Sequence, residues 1–183
     1  DAHSEMNAKV WNYNEEQFSG YKPNILVKIR ATVVAWQTLL QLKVEKIRIA
    51  NSDDPVSIND FVPSAPKSGE EMMNILESYI DKIQKTDIKD IVNYVVSELY
   101  DKLMYYPAAQ SNHHSVRCGL LYHTTTMLAS AEAMCKIYTE LDPDWLYAGV
   151  ILHDIEKTEE MNASELGLVS DYTRKGLLLG HVI

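Results

Sequence analysis

The sequence predicts an α+β, multidomain chain in which a β segment precedes an all-α helical bundle. Three observations predict it. Apolar and polar residues alternate with period two between Ile25 and Ile49, the pattern of half-buried strands. Ser, Asp and Pro then crowd residues 51–67 without any periodic pattern. From Ser68 onward apolar residues recur at helical spacing. The expected divisions are therefore a β segment over 1–50, a linker over 51–67 and a helical domain over 68–183.

In the β segment, a Lys22-Pro23-Asn24 turn leads into Ile25, Val27 and Ile29, which alternate with Lys28 and Arg30. Leu40, Leu42 and Val44 alternate in the same way, and then the phase slips by one so that Ile47 and Ile49 continue it. A one-residue slip within a strand predicts a β-bulge. Asn7 to Trp11 offers a further strand. Three or so strands are too few to close a barrel. Lys9, Lys28, Arg30, Lys43, Lys46 and Arg48 lie along these strands, with Trp11 and Trp36 nearby. Cations interleaved with aromatics make up a surface for single-stranded nucleic acid. The solvated face of an ordinary antiparallel sheet has the same composition, so both readings stand.

The helical part opens on Ser68-Gly69-Glu70-Glu71, which reads as a capping box. Met72, Ile75, Leu76, Tyr79, Ile80 and Ile83 trace one stripe behind it. Thr86 can cap a second helix carrying Ile88, Ile91, Val92, Val95, Leu99 and Leu103. Pro107 interrupts before Asn112-His113-His114. A third helix is expected from about Val116 to Leu141. Asp142-Pro143 starts a fourth, with an N-cap and a proline at the first helical position. A loop is expected from about Asn162 to Asp171, and a last helix from near Thr173.

The chemistry concentrates at His153-Asp154-Ile155-Glu156-Lys157. The doublet closes the apolar run Leu146 to Leu152, which a folded chain buries, and buried ionisable groups are costly unless paired or metal-bound. Imidazole beside carboxylate is a mixed N/O donor set suited to a divalent transition ion. On a continuing helix Lys157 would lie on the side of His153, four residues on, and present a cation to an anionic substrate. Taken alone, a His-Asp pair is more often a surface pair or a satisfied core hydrogen bond. Two further histidines in apolar helical settings change the balance. His123 sits on or beside the stripe of Leu120, Thr124, Met127 and Leu128, and His181 follows Leu177-Leu178-Leu179-Gly180. His123, His153, Asp154 and His181 are the candidate metal ligands. His113 and His114 are candidates for leaving-group protonation or substrate contact, because imidazole titrates near neutral pH. Loop capping and packing are their alternative role.

Composition bounds the partners. A hydrophobic fraction of 46% without any apolar stretch of membrane-spanning length argues against a bilayer anchor. The net charge of −9 argues against broad non-specific binding to nucleic acid, though not against a local basic strip. Cys118 and Cys135 have neither metal-type nor redox-type spacing and read as buried thiols of a reducing cytoplasm.

Tyr106-Pro107-Ala108-Ala109, Asn112-His113-His114, Gly119-Leu120-Leu121-Tyr122-His123, Leu146 to Asp154 and Leu178-Leu179-Gly180-His181 together resemble the HD-domain 3′–5′ exoribonucleases of the YhaM type. The resemblance is weak before about Asp60 and strong from Tyr106. It implies a partial N-terminal OB-fold followed by an HD-domain helical bundle. His123, His153 and Asp154 then match family metal ligands, His181 matches one available to a second metal, and Lys157 matches the lysine of the HDxxK signature. Two departures stand out. Glu156 occupies a position where the family has a small residue, placing an extra carboxylate near the site. A downstream histidine and a final aspartate of the family pattern are missing, and the start has no initiator Met, so the chain reads as a fragment truncated at both ends.

The resemblance implies a metal-dependent phosphodiester hydrolase, specifically a 3′–5′ exoribonuclease. It would use one or two divalent ions, manganese foremost, on single-stranded RNA, with Lys28, Arg30, Lys43 and Trp36 on the binding platform. Single-stranded DNA is the alternative polymer. The competing classes are an HD phosphohydrolase of small nucleotides and a nucleic-acid-binding protein with a secondary metal site. The fragment itself is expected to be inactive, to hold its metal loosely, and to associate with a second copy through apolar surface left uncovered.

Overall fold

The computed structural model describes residues 6–12, 14–22, 24–51, 53–111 and 113–181, and divides into two compact units, Asp1–Pro63 and Ser64–Ile183. Pro23 of the expected turn and Asn112 of the histidine loop lie outside the described residues. Strands come first and helices dominate thereafter, as the periodicities predict.

The first unit holds β1 (Ala8–Val10), a one-turn helix α1 (Glu15–Phe18), β2 (Val27–Trp36) and β3 (Leu39–Ile49). The sheet order is β1-β3-β2, with β1 parallel and β2 antiparallel to the central β3. Gln37 and Thr38 close the hairpin, Gln37 in the left-handed region at φ 56°. The predicted slip is a bulge. Arg30 pairs with Lys46 and Ala31 with Val44, so Glu45 is the extra residue of β3. Its carboxylate accepts a hydrogen bond from the Thr32 hydroxyl at 2.7 Å and lies 3.4 Å from Arg30 Nε. Beyond β3, Asp54 ties the chain back to the sheet. It accepts from Arg48 twice at 2.7 Å, from Lys28 Nζ at 2.8 Å and from the Asn51 amide at 3.0 Å. The stretch expected as a linker also contains a turn of 3-10 helix at Ile58–Asp60, capped by Ser57.

The second unit is a bundle of α2 (Gly69–Lys82), α3 (Thr86–Leu103), α4 (Gly119–Ile137) and α5 (Pro143–Leu152). Two short elements follow: α6 (Lys157–Glu160), and α7 (Arg174–Leu179) beyond a hairpin of β4 (Met161–Ala163) and β5 (Val169–Tyr172). Met72, Met73, Leu76 and Ile80 of α2 meet Val92 and Val96 of α3, Leu120, Leu121 and Leu128 of α4, and Ala148 and Ile151 of α5 in one core. Burial of these side chains, at about 1.5–3 kcal/mol for each large one, is what holds the helices together.

Several local expectations need correction. Ser68 does cap α2, accepting from the Glu71 amide at 3.1 Å, while Glu71 turns to Lys67 at 3.3 Å instead of closing the box. Thr86 does not cap α3. Lys85 stands at the N-cap position without a side-chain cap, and the buried Asp144 carboxylate of α5 accepts the Gln84 and Lys85 amides just before the helix, at 3.1 and 2.8 Å. Ile91, expected in the α3 stripe, is exposed, and Val96 is buried in that helix instead. Helix α4 starts at Gly119 rather than near Val116, because Cys118 takes a left-handed conformation at φ 59°. It ends at Ile137, short of Leu141. Residues expected as a loop after Asn162 form the β4–β5 hairpin, which turns through Gly167 at φ 76°. The start of α5 agrees with expectation: Asp142 accepts from the Asp144 amide at 3.1 Å, with Pro143 at the first position.

Candidate metal centre

Three elements bring the candidate ligands together. Helix α4 carries His123 one turn in, on a face otherwise buried by Leu120, Leu121, Thr124 and Leu128. Helix α5 stops at Leu152, and its C-terminal residue His153 turns its ring back along the helix. His153 Nδ1 lies 2.8 Å from the Val150 carbonyl. A carbonyl can only accept, so Nδ1 carries the proton and Nε2 is left with a free lone pair. Asp154 follows, buried in the turn between α5 and α6.

The resulting geometry is a nearly equilateral triangle. His123 Nε2 and His153 Nε2 are 3.4 Å apart, and Asp154 Oδ2 lies 3.5 Å from the first and 3.4 Å from the second. Dividing such an edge by √3 puts the centre of the triangle about 2.0 Å from every corner, the length of a metal–imidazole or metal–carboxylate bond. The His153 side chain is 34% exposed, so water or substrate can reach the triangle and take positions that the three donors do not fill. Among the described residues these three form the group of His, Cys, Asp and Glu that could hold an ion.

Electrostatics support the same set of ligands. Burial lowers the pKa of His123, helped by His153, Lys157 and His114 and opposed by Asp154. Its imidazole therefore stays neutral, and able to ligate, into more acid solution than usual. Burial works against ionisation of Asp154, but hydrogen bonding and charge from Lys157, with His153 and His181, outweigh it and lower its pKa. The carboxylate is thus held as an anion.

Lys157 reaches this point differently from the expectation. No continuous helix links it to His153; α6 begins at Lys157 itself after a separate turn, and Nζ lies 3.0 Å from Asp154 Oδ2. His181 approaches the other carboxylate oxygen, with Nε2 3.4 Å from Asp154 Oδ1. His113 and His114 fall beside the triangle, their ring centres 6.2 and 5.6 Å from that of His123. His114 also packs edge-on against Tyr122 at 5.1 Å, and burial followed by the neighbouring His113 lowers its pKa. Five of the six histidines thus gather in one place. Glu156, the unusual carboxylate, lies 3.8 Å from Lys175.

The sequence reading missed Glu160, whose carboxylate lies 3.2 Å from His181 Nδ1. Nothing in its local pattern marks it, because a glutamate in a short charged helix reads as surface.

The candidate nucleic-acid residues lie in the first unit. Lys28, Arg30 and Trp36 share one parity along β2, and Lys43 sits opposite Thr32 in the same row. Lys28 is committed to Asp54 and Arg30 leans on Glu45. Lys43 forms no ion pair among the described residues, and Trp36 is exposed.

A helical scaffold that brings two imidazoles and a carboxylate together, with a lysine alongside, defines a candidate metal centre. Sequence comparison shows what the chain as a whole is similar to. Over 182 residues, 100% of the chain, the sequence is 37% identical to the 3′–5′ exoribonuclease YhaM of Geobacillus sp. (strain WCH70). The chain spans 55% of the length of that protein. It is therefore a relative of the YhaM-type exoribonucleases, as its motifs suggest. No family model matches the sequence, and no solved structure matches it.

Proposed function

We propose that the chain carries the metal centre, and part of the RNA-binding platform, of a metal-dependent 3′–5′ exoribonuclease acting on single-stranded RNA. In this reading the first unit is a partial OB-fold and the second an HD domain. The observation that carries it is the His123–His153–Asp154 triangle, whose size and donor set fit a divalent transition ion such as manganese. When bound, such an ion lowers the pKa of a coordinated water and draws in a phosphate oxygen.

The chain's own residues supply the rest. His153 is fixed in its ligating tautomer by Val150, and burial keeps His123 neutral. Lys157 holds the Asp154 carboxylate now; with a phosphodiester present, its ammonium is placed to share its charge with non-bridging oxygens. His114, nearer to His123 than His113 is, is placed for substrate contact as a neutral imidazole, because burial lowers its pKa. The cationic row of β2 and β3, ending at Trp36, would hold the polymer upstream of the scissile bond. That row favours a polymer over a mononucleotide, because a mononucleotide needs no extended platform.

The test is degradation of 5′-labelled single-stranded RNA by the full-length protein, with manganese, with the metal chelated, and with Asp154→Asn. The expected result is a ladder of products shortened from the 3′ end that disappears in both controls. A ladder that survives chelation or Asp154→Asn would overturn the proposal. Preference for free nucleotides would support the small-substrate phosphohydrolase instead.

A further inference from the structure

We infer that Glu160 is a positioning residue that sets His181 as the ligand on the second flank of Asp154; the inference rests on the metal-centre reading above. Glu160 touches α7 at both of its ends. At the start, its backbone carbonyl accepts the Thr173 amide at 2.9 Å, and a Cβ added to Gly176 would lie 2.1 Å from that same oxygen. Only a glycine lets α7 sit so close. Thr173 in turn caps the helix, accepting from the Gly176 amide at 2.8 Å. At the far end, the Glu160 side chain, 14% exposed, reaches His181 just beyond Gly180, with Oε2 3.2 Å from Nδ1.

The chemistry follows from that contact. Carboxylate oxygens face both ring nitrogens; the shorter approach, 3.2 Å at Nδ1 against 3.4 Å at Nε2, favours the neutral form with its proton toward Glu160 and Nε2 presented to Asp154. Nε2 lies 3.4 Å from Asp154 Oδ1. In that form two lone-pair atoms face each other across this gap, an arrangement that a cation between them would relieve. Carboxylate, imidazole and cation in that order form the arrangement by which outer partners orient metal-binding histidines. Asp154 thereby serves two flanks: Oδ2 completes the triangle with His123 and His153, and Oδ1 faces His181. Glu160 makes no contribution to the triangle itself and acts through His181 alone.

The experiment uses the full-length protein with Glu160→Ala, Glu160→Gln, His181→Ala and the Glu160→Ala/His181→Ala double variant. Two readouts are taken: the His181 tautomer by nitrogen NMR of the metal-free protein at about pH 8, above the imidazole range, and manganese affinity by electron paramagnetic resonance. Wild type should show the Nδ1–H form of His181, and Glu160→Ala should lose it. Glu160→Ala should bind manganese about 10–100-fold more weakly. Glu160→Gln keeps an acceptor and should recover most of that loss. The double variant should be no weaker than His181→Ala beyond about twofold, since the two residues act in series. Unchanged amide spectra in the variants confirm the fold. Manganese binding by wild type with equal affinity in Glu160→Ala, or an unchanged tautomer in that variant, overturns the role of Glu160 alone. Failure of wild type to bind manganese overturns the metal centre itself, and this inference with it.

Discussion

Gly119→Ala is the sharpest probe of how the histidine loop is held against the metal centre. Gly119 opens α4, and a Cβ placed there would lie 1.9 Å from the His114 carbonyl oxygen and 2.9 Å from its carbon. Ordinary contact is about 3.4 Å, so the loop must retreat by about 1.5 Å. The atom in the way is backbone, and it already accepts the Ala108 amide at 3.0 Å. Losing that bond costs about 1 kcal/mol, and displacing packed backbone about 1–3 kcal/mol. The smaller backbone entropy of unfolded alanine returns about 0.4–1 kcal/mol. The net loss is about 2 kcal/mol, or about 8 °C in melting temperature for a unit of this size. Gly149→Ala is the internal control. It lies within α5 with no atom within 4 Å of its added Cβ, and should stabilise the protein by about 0.5–1 kcal/mol. Thermal and urea denaturation followed by circular dichroism measure both. Equal melting temperatures for Gly119→Ala and wild type would refute the reasoning, and so would a loss of stability in Gly149→Ala.

Other outcomes follow from the charges. In the metal-free protein His123 should titrate by NMR below the usual imidazole value of about 6.5, since burial disfavours its cation. The unfolded chain then takes up the proton first, so stability should fall as pH drops from about 6.5 toward the native midpoint and stay level above it; a midpoint at or above the usual value contradicts this. Arg48, then Lys28 and the Asn51 amide, hold the Asp54 carboxyl well below the ordinary carboxylate range. Its contribution should be present at neutral pH and fade below about pH 4, where the unfolded carboxyl takes up a proton that the folded one still refuses. Asp54→Asn should therefore be less stable than wild type at pH 7, with a gap that narrows in acid; a gap independent of pH contradicts the tie. Arg30→Ala with Lys43→Ala should weaken RNA binding and reduce the log–log salt slope by about 0.7 per lost phosphate contact. Cleavage of a dinucleotide should hardly change, and equal losses on long and short RNA would sink the platform.

The features legible in the sequence are those decided by near neighbours. The phase slip before Ile47 announced the Glu45 bulge, and Asp142-Pro143 announced the start of α5, because period and cap are local properties. The apolar surroundings of His123 and His153 marked them as candidate ligands before any geometry. What the sequence did not show depends on distant partners. The turn into α3 is held by Asp144, about sixty residues away, which accepts the Lys85 amide and which no local pattern reveals. The β4–β5 hairpin is short, and its pairing rests on packing: Met161 is buried in the bundle core while Asn162 and Asp171 bond across the strands. Lys157 reached Asp154 by a turn and a new helix rather than along α5, and Glu160 became visible only when α7 folded back over it.

The most direct test of the metal centre is anomalous diffraction from crystals of the protein grown with manganese, with data collected on both sides of the manganese edge. One strong anomalous peak is predicted within about 2–2.3 Å of His123 Nε2, His153 Nε2 and Asp154 Oδ2, a bonding distance for such donors. It should be absent from crystals of His153→Ala. A peak bound elsewhere, or an empty triangle at saturating manganese, would contradict the account.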